Sequence, residues 1–131
     1  MRKWIALLAL ACLLGACTPP VNPDEAEHAV PAFHLAMIEG DFAGIYQRAA
    51  PALREAQAQA EFVAGLQKIR ARLGEVRGAE RMTTTVDGRR ATLTYITAYA
   101  NGAAREEFVI VQEEGQAPQL LRYRLLEPQI P

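Results

Sequence analysis

The spacing of apolar residues changes at Gly74, and this change constrains the fold more than any other feature of the chain. Before Gly74, between about residues 58 and 73, apolar residues recur at offsets 0, 4, 7 and 11, which is typical of one helical face. These residues are Phe62, Leu66, Ile69 and Leu73. After Gly74 the period becomes 2, which predicts four strands, over 75–86, 89–100, 103–112 and 119–126.

Two dipeptides, Asp87-Gly88 and Asn101-Gly102, predict tight turns between the first three strands. Two-residue turns at these positions would place Tyr95 opposite Phe108 and Glu80 opposite Tyr95. They would also place Leu93 opposite Met82 and Ile110, Thr97 opposite Glu106, Tyr99 opposite Ala104, and Glu107 opposite Ile96 on the other face. The sequence therefore predicts an antiparallel meander with one apolar face, covered by the preceding helices, in an α+β domain.

The predicted helices begin at Asn22, which is placed as an N-cap with Pro23 at the first helical position and Glu25 completing a capping box. The first helix is expected to kink between Glu27 and Pro31, because of the proline, and to stop at Gly40. A second, short helix is expected from Asp41 to about Arg48, ended by Pro51.

The first residues of the chain have the features of an export signal. Arg2 and Lys3 precede an apolar run from about Trp4 to Leu14, which is shorter than the roughly 20 residues that span a bilayer. Ending on Leu-Gly-Ala-Cys17, this segment resembles a bacterial lipoprotein signal. The resemblance implies cleavage before Cys17 and acylation of its thiol, the alternative being an ordinary secretory signal that ends near a cysteine. The only other cysteine, Cys12, lies inside the signal, so no disulfide is expected.

These features predict a signal peptide over 1–16, a lipidated tether over 17–21 and a single α+β domain over 22–131. The net charge of the chain is −1, and loss of Arg2 and Lys3 makes it more acidic. Because the domain has no basic stripe, no nucleic-acid partner is expected. The membrane is the expected partner, through the lipid anchor, and Thr18 after the cysteine favours the periplasmic face of the outer membrane within the cell envelope.

The helical and strand segments together resemble the cystatin-like and nuclear-transport-factor-2-like α+β domains of small bacterial envelope proteins. The residues that carry the resemblance are Gly40-Asp41-Phe42, Ile45-Tyr46, Phe62 to Gly74, Leu93-Thr94-Tyr95, Gly102 and Glu106-Glu107-Phe108. It implies a curved four-stranded sheet around a long helix, often with a cavity between them. Members of such folds include enzymes, binding modules and inhibitors, so the fold alone leaves the function open.

Five residues form the candidate pocket, because the predicted register brings polar groups to the apolar face of the sheet. They are Glu80, Tyr95, Tyr99, Glu106 and His34, with Thr97 as a further hydrogen-bond donor. Buried carboxylates need partners, so Glu80 and Glu106 are interpreted as pocket lining, as a general acid or base, or as structural groups. No metal site is predicted, because His28 and His34 lack further ligands at metal spacing, and no cofactor is expected.

The sequence therefore favours a non-catalytic, membrane-anchored envelope lipoprotein that binds an envelope protein or a small apolar ligand near the membrane. One alternative is an enzyme that uses Glu106 or Glu80 as acid or base in a cavity. The other is a structural accessory without a pocket.

Overall fold

The computed structural model describes the backbone of residues 19–129 and the side chains of residues 19–126. The signal peptide predicted over 1–16, the acylation site Cys17 and the sorting residue Thr18 lie outside this range. The elements are α1 (Pro23–Glu39), α2 (Phe42–Arg48), α3 (Pro51–Ala56), α4 (Gln59–Leu73), β1 (Val76–Asp87), β2 (Arg90–Tyr99), β3 (Gly102–Val111) and β4 (Gln119–Gln129). Within the described residues, no helix is long and apolar enough to cross a membrane.

The four strands form one antiparallel sheet in the order β1-β2-β3-β4, each strand pairing with the next along the chain. The helices cover one face of this sheet, called the inner face here, which carries Leu93, Tyr95, Phe108 and Ile110. These side chains pack with Val30, Phe33, Met37, Phe62 and Leu66 from the helices in one buried cluster. The predicted α+β class, with N-terminal helices on a four-stranded antiparallel meander, is confirmed.

The start of α1 follows the prediction in part. The side chain of Asn22 caps the helix by accepting a hydrogen bond from the Asp24 N–H at 3.0 Å, and Pro23 occupies the first turn. The capping box does not form, because the Glu25 carboxylate instead accepts from the Gln112 amide at 2.7 Å. The Asn22 N–H donates to the same Gln112 side chain at 3.2 Å, so this glutamine joins the helix start to the end of β3.

Helix α3 was missed from the sequence, where Pro51 was interpreted only as the end of α2. Pro51 also begins a new helix, because proline has the helical φ and no N–H that the first turn would leave unpaired. Just before it, the Ala50 N–H donates to the Leu120 carbonyl at 2.8 Å. This bond fixes α3 beside β4.

The predicted pairing of β2 with β3 was wrong by two residues, although the face was right. The turn lies at Ala100 and Asn101, so Tyr95 pairs with Glu106, Leu93 with Phe108, Thr97 with Ala104, Tyr99 with Gly102 and Thr94 with Glu107. A shift of two keeps every side chain on its predicted face. Two residues before the hairpin fix this turn: the Ala100 N–H donates to the Glu75 carbonyl, and the Asn101 N–H donates to the Leu73 carbonyl.

The first hairpin departs further from the prediction, because it contains a bulge at Met82. Its turn residues are Gly88 and Arg89, and only Gly88 has a positive φ, as in a type II′ turn. Thr84 pairs with Leu93, where Met82 was expected. The extra residue at Met82 then reverses the alternation, so Glu80 pairs with Ile96 and lies exposed on the outer face.

Candidate functional site

A buried carboxylate with three hydrogen-bond donors is the centre of the polar cluster on the inner face. Glu106 is fully buried, and its Oε1 accepts from His34 Nε2 at 2.8 Å. The Tyr99 hydroxyl donates to Oε2 at 2.6 Å, and the Tyr123 hydroxyl donates to the same oxygen. Because an ionised carboxylate only accepts hydrogen bonds, His34 Nε2 must carry the hydrogen. We call these four residues the Glu106 cluster.

Each member of the Glu106 cluster comes from a different element. His34 lies on the buried side of α1, Tyr99 ends β2, Glu106 lies in the middle of β3, and Tyr123 lies on β4. The two central strands present their residues by simple alternation. In β4 a register shift lies between the pairs Val109–Arg122 and Ile110–Leu120. This shift turns Tyr123 to the inner face, diagonal to Glu106 across the β3–β4 ladder.

The hydrogen bonds of the cluster set its electrostatics. Burial acts to raise the pKa of Glu106, but the hydrogen bond and charge of His34, with help from Tyr123, hold that pKa below its ordinary value. The pKa values of Tyr99 and Tyr123 are raised, first by burial and then by the neighbouring Glu106 charge. At neutral pH the cluster therefore holds one carboxylate and two neutral phenols.

The Glu106 carboxylate accepts hydrogen bonds from α1, β2 and β4 and so joins these three elements to β3. A general acid needs a proton to give and a path to its substrate, whereas Glu106 is ionised, fully buried and occupied on both oxygens. The rings around it are closely packed: Phe108 contacts the rings of His34, Tyr95 and Tyr123 at centroid distances of 5.8, 5.8 and 5.2 Å. The geometry favours the structural interpretation of this carboxylate.

The structure brings together three of the five predicted pocket residues: His34, Tyr99 and Glu106. Tyr95 pairs directly with Glu106 on the inner face, and it packs on Phe108 outside the hydrogen-bonded cluster. Burial raises the pKa of Tyr95, with Arg81 acting in the opposite direction. Glu80 belongs to the outer face and is not part of the site, because the bulge reverses the alternation.

Tyr123 was missed as a site residue. The signal that could have found it is the alternation of apolar and basic residues at the end of the predicted last strand, Arg122, Tyr123, Arg124 and Leu125. Thr97, predicted as a donor, is fully buried, and its hydroxyl has no hydrogen-bond partner among the described residues.

A cleft of about 800 Å³ lies beside the Glu106 cluster and shares Tyr123 with it. Its apolar wall comes from α3, α4 and the inner side of β4: Leu53, Phe62, Leu66, Ile69, Tyr123 and Leu125. Its polar part comes from both sides: Gln57 and Glu61 lie on the helical side, and the outer face of the sheet provides Thr85, Asp87, Arg90, Thr92 and Arg122. β4 is an edge strand, so the cleft extends past it from the inner face of the sheet to the outer face. The apolar wall and the polar part therefore belong to one cleft.

No group of three or more histidine, cysteine, aspartate or glutamate side chains within residues 19–126 is arranged to hold a metal ion. No family model matches the chain, and a search of curated proteins gives no significant match. The evidence for function is therefore the geometry of the cluster and of the cleft.

Proposed function

We propose that this chain is a membrane-anchored envelope lipoprotein whose domain binds a small apolar or amphipathic ligand in the cleft around β4. The observation that carries the proposal is the cleft itself. Its volume of about 800 Å³ falls in the range of ligand sites, roughly 300–1,000 Å³. An apolar wall beside a polar part that carries Glu61, Asp87, Arg90 and Arg122 suits a ligand with both an apolar and a polar part.

Gly65 supports a binding role for the cleft. It lies inside α4, where glycine costs about 1 kcal/mol relative to alanine, and it lines the cleft. A Cβ built at this position meets nothing within 4 Å. Glycine is therefore not required at residue 65 by a close neighbour. The absence of a side chain there leaves the part of the cleft beside Phe62 and Leu66 open.

The Glu106 cluster supports binding more than catalysis. It fixes Tyr123 against a buried carboxylate, so one wall of the cleft is rigid before a ligand arrives. Because this wall is already ordered in the free protein, ligand binding loses less conformational entropy. In this role Glu106 acts as a positioning residue and touches no ligand.

The anchor is proposed from the resemblance of the first residues to a lipoprotein signal, and the contacts of Val21 support a position for it near the β1–β2 turn. Val21 is buried, and its N–H donates to the Gly88 carbonyl at 2.9 Å. Three residues therefore separate Cys17 from the domain, a reach of about 10 Å at 3.3–3.6 Å per residue. The β1–β2 turn would lie close to the membrane.

Photolabelling tests the binding site. We expect a photoreactive long-chain fatty acid, added to the full chain in lipid nanodiscs, to give light-dependent labelling of residues 51–73. Gly65→Trp fills the cleft and should abolish this labelling, whereas Ala64→Trp, on the exposed side of the same helix, should retain it. Equal labelling of both variants, or no light-dependent labelling of the parent, would contradict the proposal.

A separate experiment tests the anchor. The parent chain should partition with membranes and carry a mass above that of the cleaved polypeptide, and Cys17→Ala should lose both properties. A membrane-extracted parent with an unmodified Cys17 thiol would rule out lipidation. Density fractionation that places the parent in the inner membrane would overturn the sorting inference from Thr18.

A further inference from the structure

The outer edge of β1 is the longest open edge of the sheet. Among the described residues, β1 pairs only with β2, and its residues from 77 to 83 are all exposed. Met82 and Val86 keep 53% and 39% of their surface, which makes them two of the four large exposed hydrophobic residues of the described chain. An open edge strand is a template for pairing with another strand.

The backbone groups that face outward from β1 can be assigned from its hairpin. Asp87 and Arg90 flank a two-residue turn, so they form a hydrogen-bonded pair, and alternate residues of β1 bond to β2 from there. Thr83 and Thr85 belong to the bonded set. The N–H and C=O groups of Thr84 and Val86 therefore point away from the sheet.

The segment from Met82 to Val86 is complementary to its own antiparallel copy. When Thr84 lies opposite Thr84 of a second chain, Met82 lies opposite Val86 at both ends, so each exposed apolar residue meets the other.

A second observation falls on the same residue. The Thr84 hydroxyl is one of two buried side-chain polar atoms without a hydrogen-bond partner in the described part of the chain. Buried polar atoms are rarely left unpaired. Antiparallel pairing centred on Thr84 brings a second Thr84 to the opposite position, and a change of χ1 rotamer at this residue moves the covered hydroxyl toward its counterpart, as in threonine pairs that hydrogen-bond across strands.

We propose that two copies of this chain associate through β1, antiparallel and centred on Thr84, to form one continuous eight-stranded sheet. The partner is a second copy of this chain. The bulge at Met82 ends the regular edge and so limits the interface to residues 82–86. Because a two-fold axis perpendicular to the sheet keeps both inner faces on the same side, the helices and the cleft of each copy are retained.

Disulfide trapping tests the register. Directly opposed residues in a hydrogen-bonded pair have Cα atoms about 5.5 Å apart, within the range that a disulfide spans. We expect Thr84→Cys, in cells that produce the full chain, to give a dimer on non-reducing gels. Thr92→Cys, on the outer face of β2, is the control and should give only the background of the parent.

Mixed variants test the axis. Met82→Cys and Val86→Cys chains, carrying tags of different size and produced together, should form mixed dimers. Each produced alone should form far fewer, because residues 82 and 82 of two copies lie four positions out of register. Failure of Thr84→Cys to exceed Thr92→Cys, or equal trapping in single and mixed samples, would overturn the proposed pairing.

A proline variant tests association without a disulfide. Thr84→Pro removes an N–H that points away from the sheet, and proline is tolerated at such positions of edge strands. We expect the detergent-extracted parent to sediment as a dimer and Thr84→Pro to sediment as a monomer with an unchanged far-ultraviolet circular dichroism spectrum. A monomeric parent at every concentration, or a folded Thr84→Pro chain that is still dimeric, would contradict the proposal.

Discussion

His34 Nε2 donates a hydrogen bond to Glu106 Oε1 at 2.8 Å, and this bond joins helix α1 to the middle of strand β3. The two residues are 72 positions apart in the chain. Since both tyrosine hydroxyls occupy the other oxygen, the carboxylate connects one helix and three strands. A contact of this kind can form only when the helix and the sheet have docked in the native arrangement.

Glu106→Gln should lower the free energy of unfolding by about 1–3 kcal/mol, because an amide offers one acceptor oxygen to three donors and leaves buried groups unpaired. Urea unfolding of the full chain, followed by circular dichroism, measures the change. Glu80→Gln is the matched control on the exposed outer face, where a change within about 0.5 kcal/mol is expected. A Glu106→Gln chain as stable as the parent would show that the cluster is not a structural one.

A double-mutant cycle should show that His34 and Glu106 act together. His34→Leu leaves the carboxylate without one donor, and Glu106→Leu leaves the imidazole without its acceptor. The double variant removes both groups, so neither His34 nor Glu106 remains buried without its partner. We therefore expect the double loss to be smaller than the sum of the single losses by about 0.5–3 kcal/mol. Additive losses in the same urea experiment would mean that the pair contributes no coupling energy.

The sequence predicted the fold and three of the four residues of the Glu106 cluster, and for Glu106 and Tyr99 the prediction depended on a local pattern. Alternation set the face of Glu106 and Tyr99, and a shift of two residues in the hairpin did not change it. The position of Glu80 could not be predicted in this way, since a bulge reverses the alternation and leaves no clear mark in the sequence. His34 was a candidate partner only on the condition that α1 turns this side chain toward the sheet, and the sequence does not determine how α1 is rotated.

Glu107 shows a further limit of sequence reasoning. Glu107 lies on the outer face, as predicted, but its side chain keeps only 15% of its surface. Arg124 Nη2 and Arg122 Nη2 donate to its Oε1 at 2.8 and 3.3 Å. Both arginines come from β4, whose register was not predicted, so this ion pair could not be foreseen.

Alkaline pH should destabilise the protein through Tyr99 and Tyr123. Their folded pKa values lie above the ordinary value of 10.0, so the stabilisation is fully present below pH 10 and falls as the pH rises above it, where only the unfolded phenols ionise. Urea unfolding at pH 8 and pH 11 should show the loss, and Tyr99→Phe/Tyr123→Phe should show a smaller one. Absorbance at 295 nm should show that these two phenols ionise only as the chain unfolds.

Arg70 should stabilise the contact between α4 and the end of α1. Its Nη1 donates to the carbonyls of Met37 and Ile38, the latter at 3.1 Å, in the last turn of α1, where the helix leaves carbonyls unpaired. Arg70→Met should lower the free energy of unfolding by about 1 kcal/mol. Arg72→Met removes a nearby exposed arginine of the same helix and should change it by less than about 0.5 kcal/mol. Equal effects of the two variants in urea unfolding would contradict this role.

Gly74 should tolerate no side chain, since it makes the turn from α4 into the sheet. Its φ of 80° and ψ of −158° lie in a region that is almost restricted to glycine, and a Cβ would lie 2.9 Å from the Cβ of Ala100. Gly74→Ala should therefore lower the free energy of unfolding by about 1–3 kcal/mol. Gly78→Ala is the matched control in β1, because a Cβ there meets nothing within 4 Å. Urea unfolding of both variants measures the difference, and a Gly74→Ala chain no less stable than Gly78→Ala would show that the helix-to-sheet turn relaxes to accept a side chain.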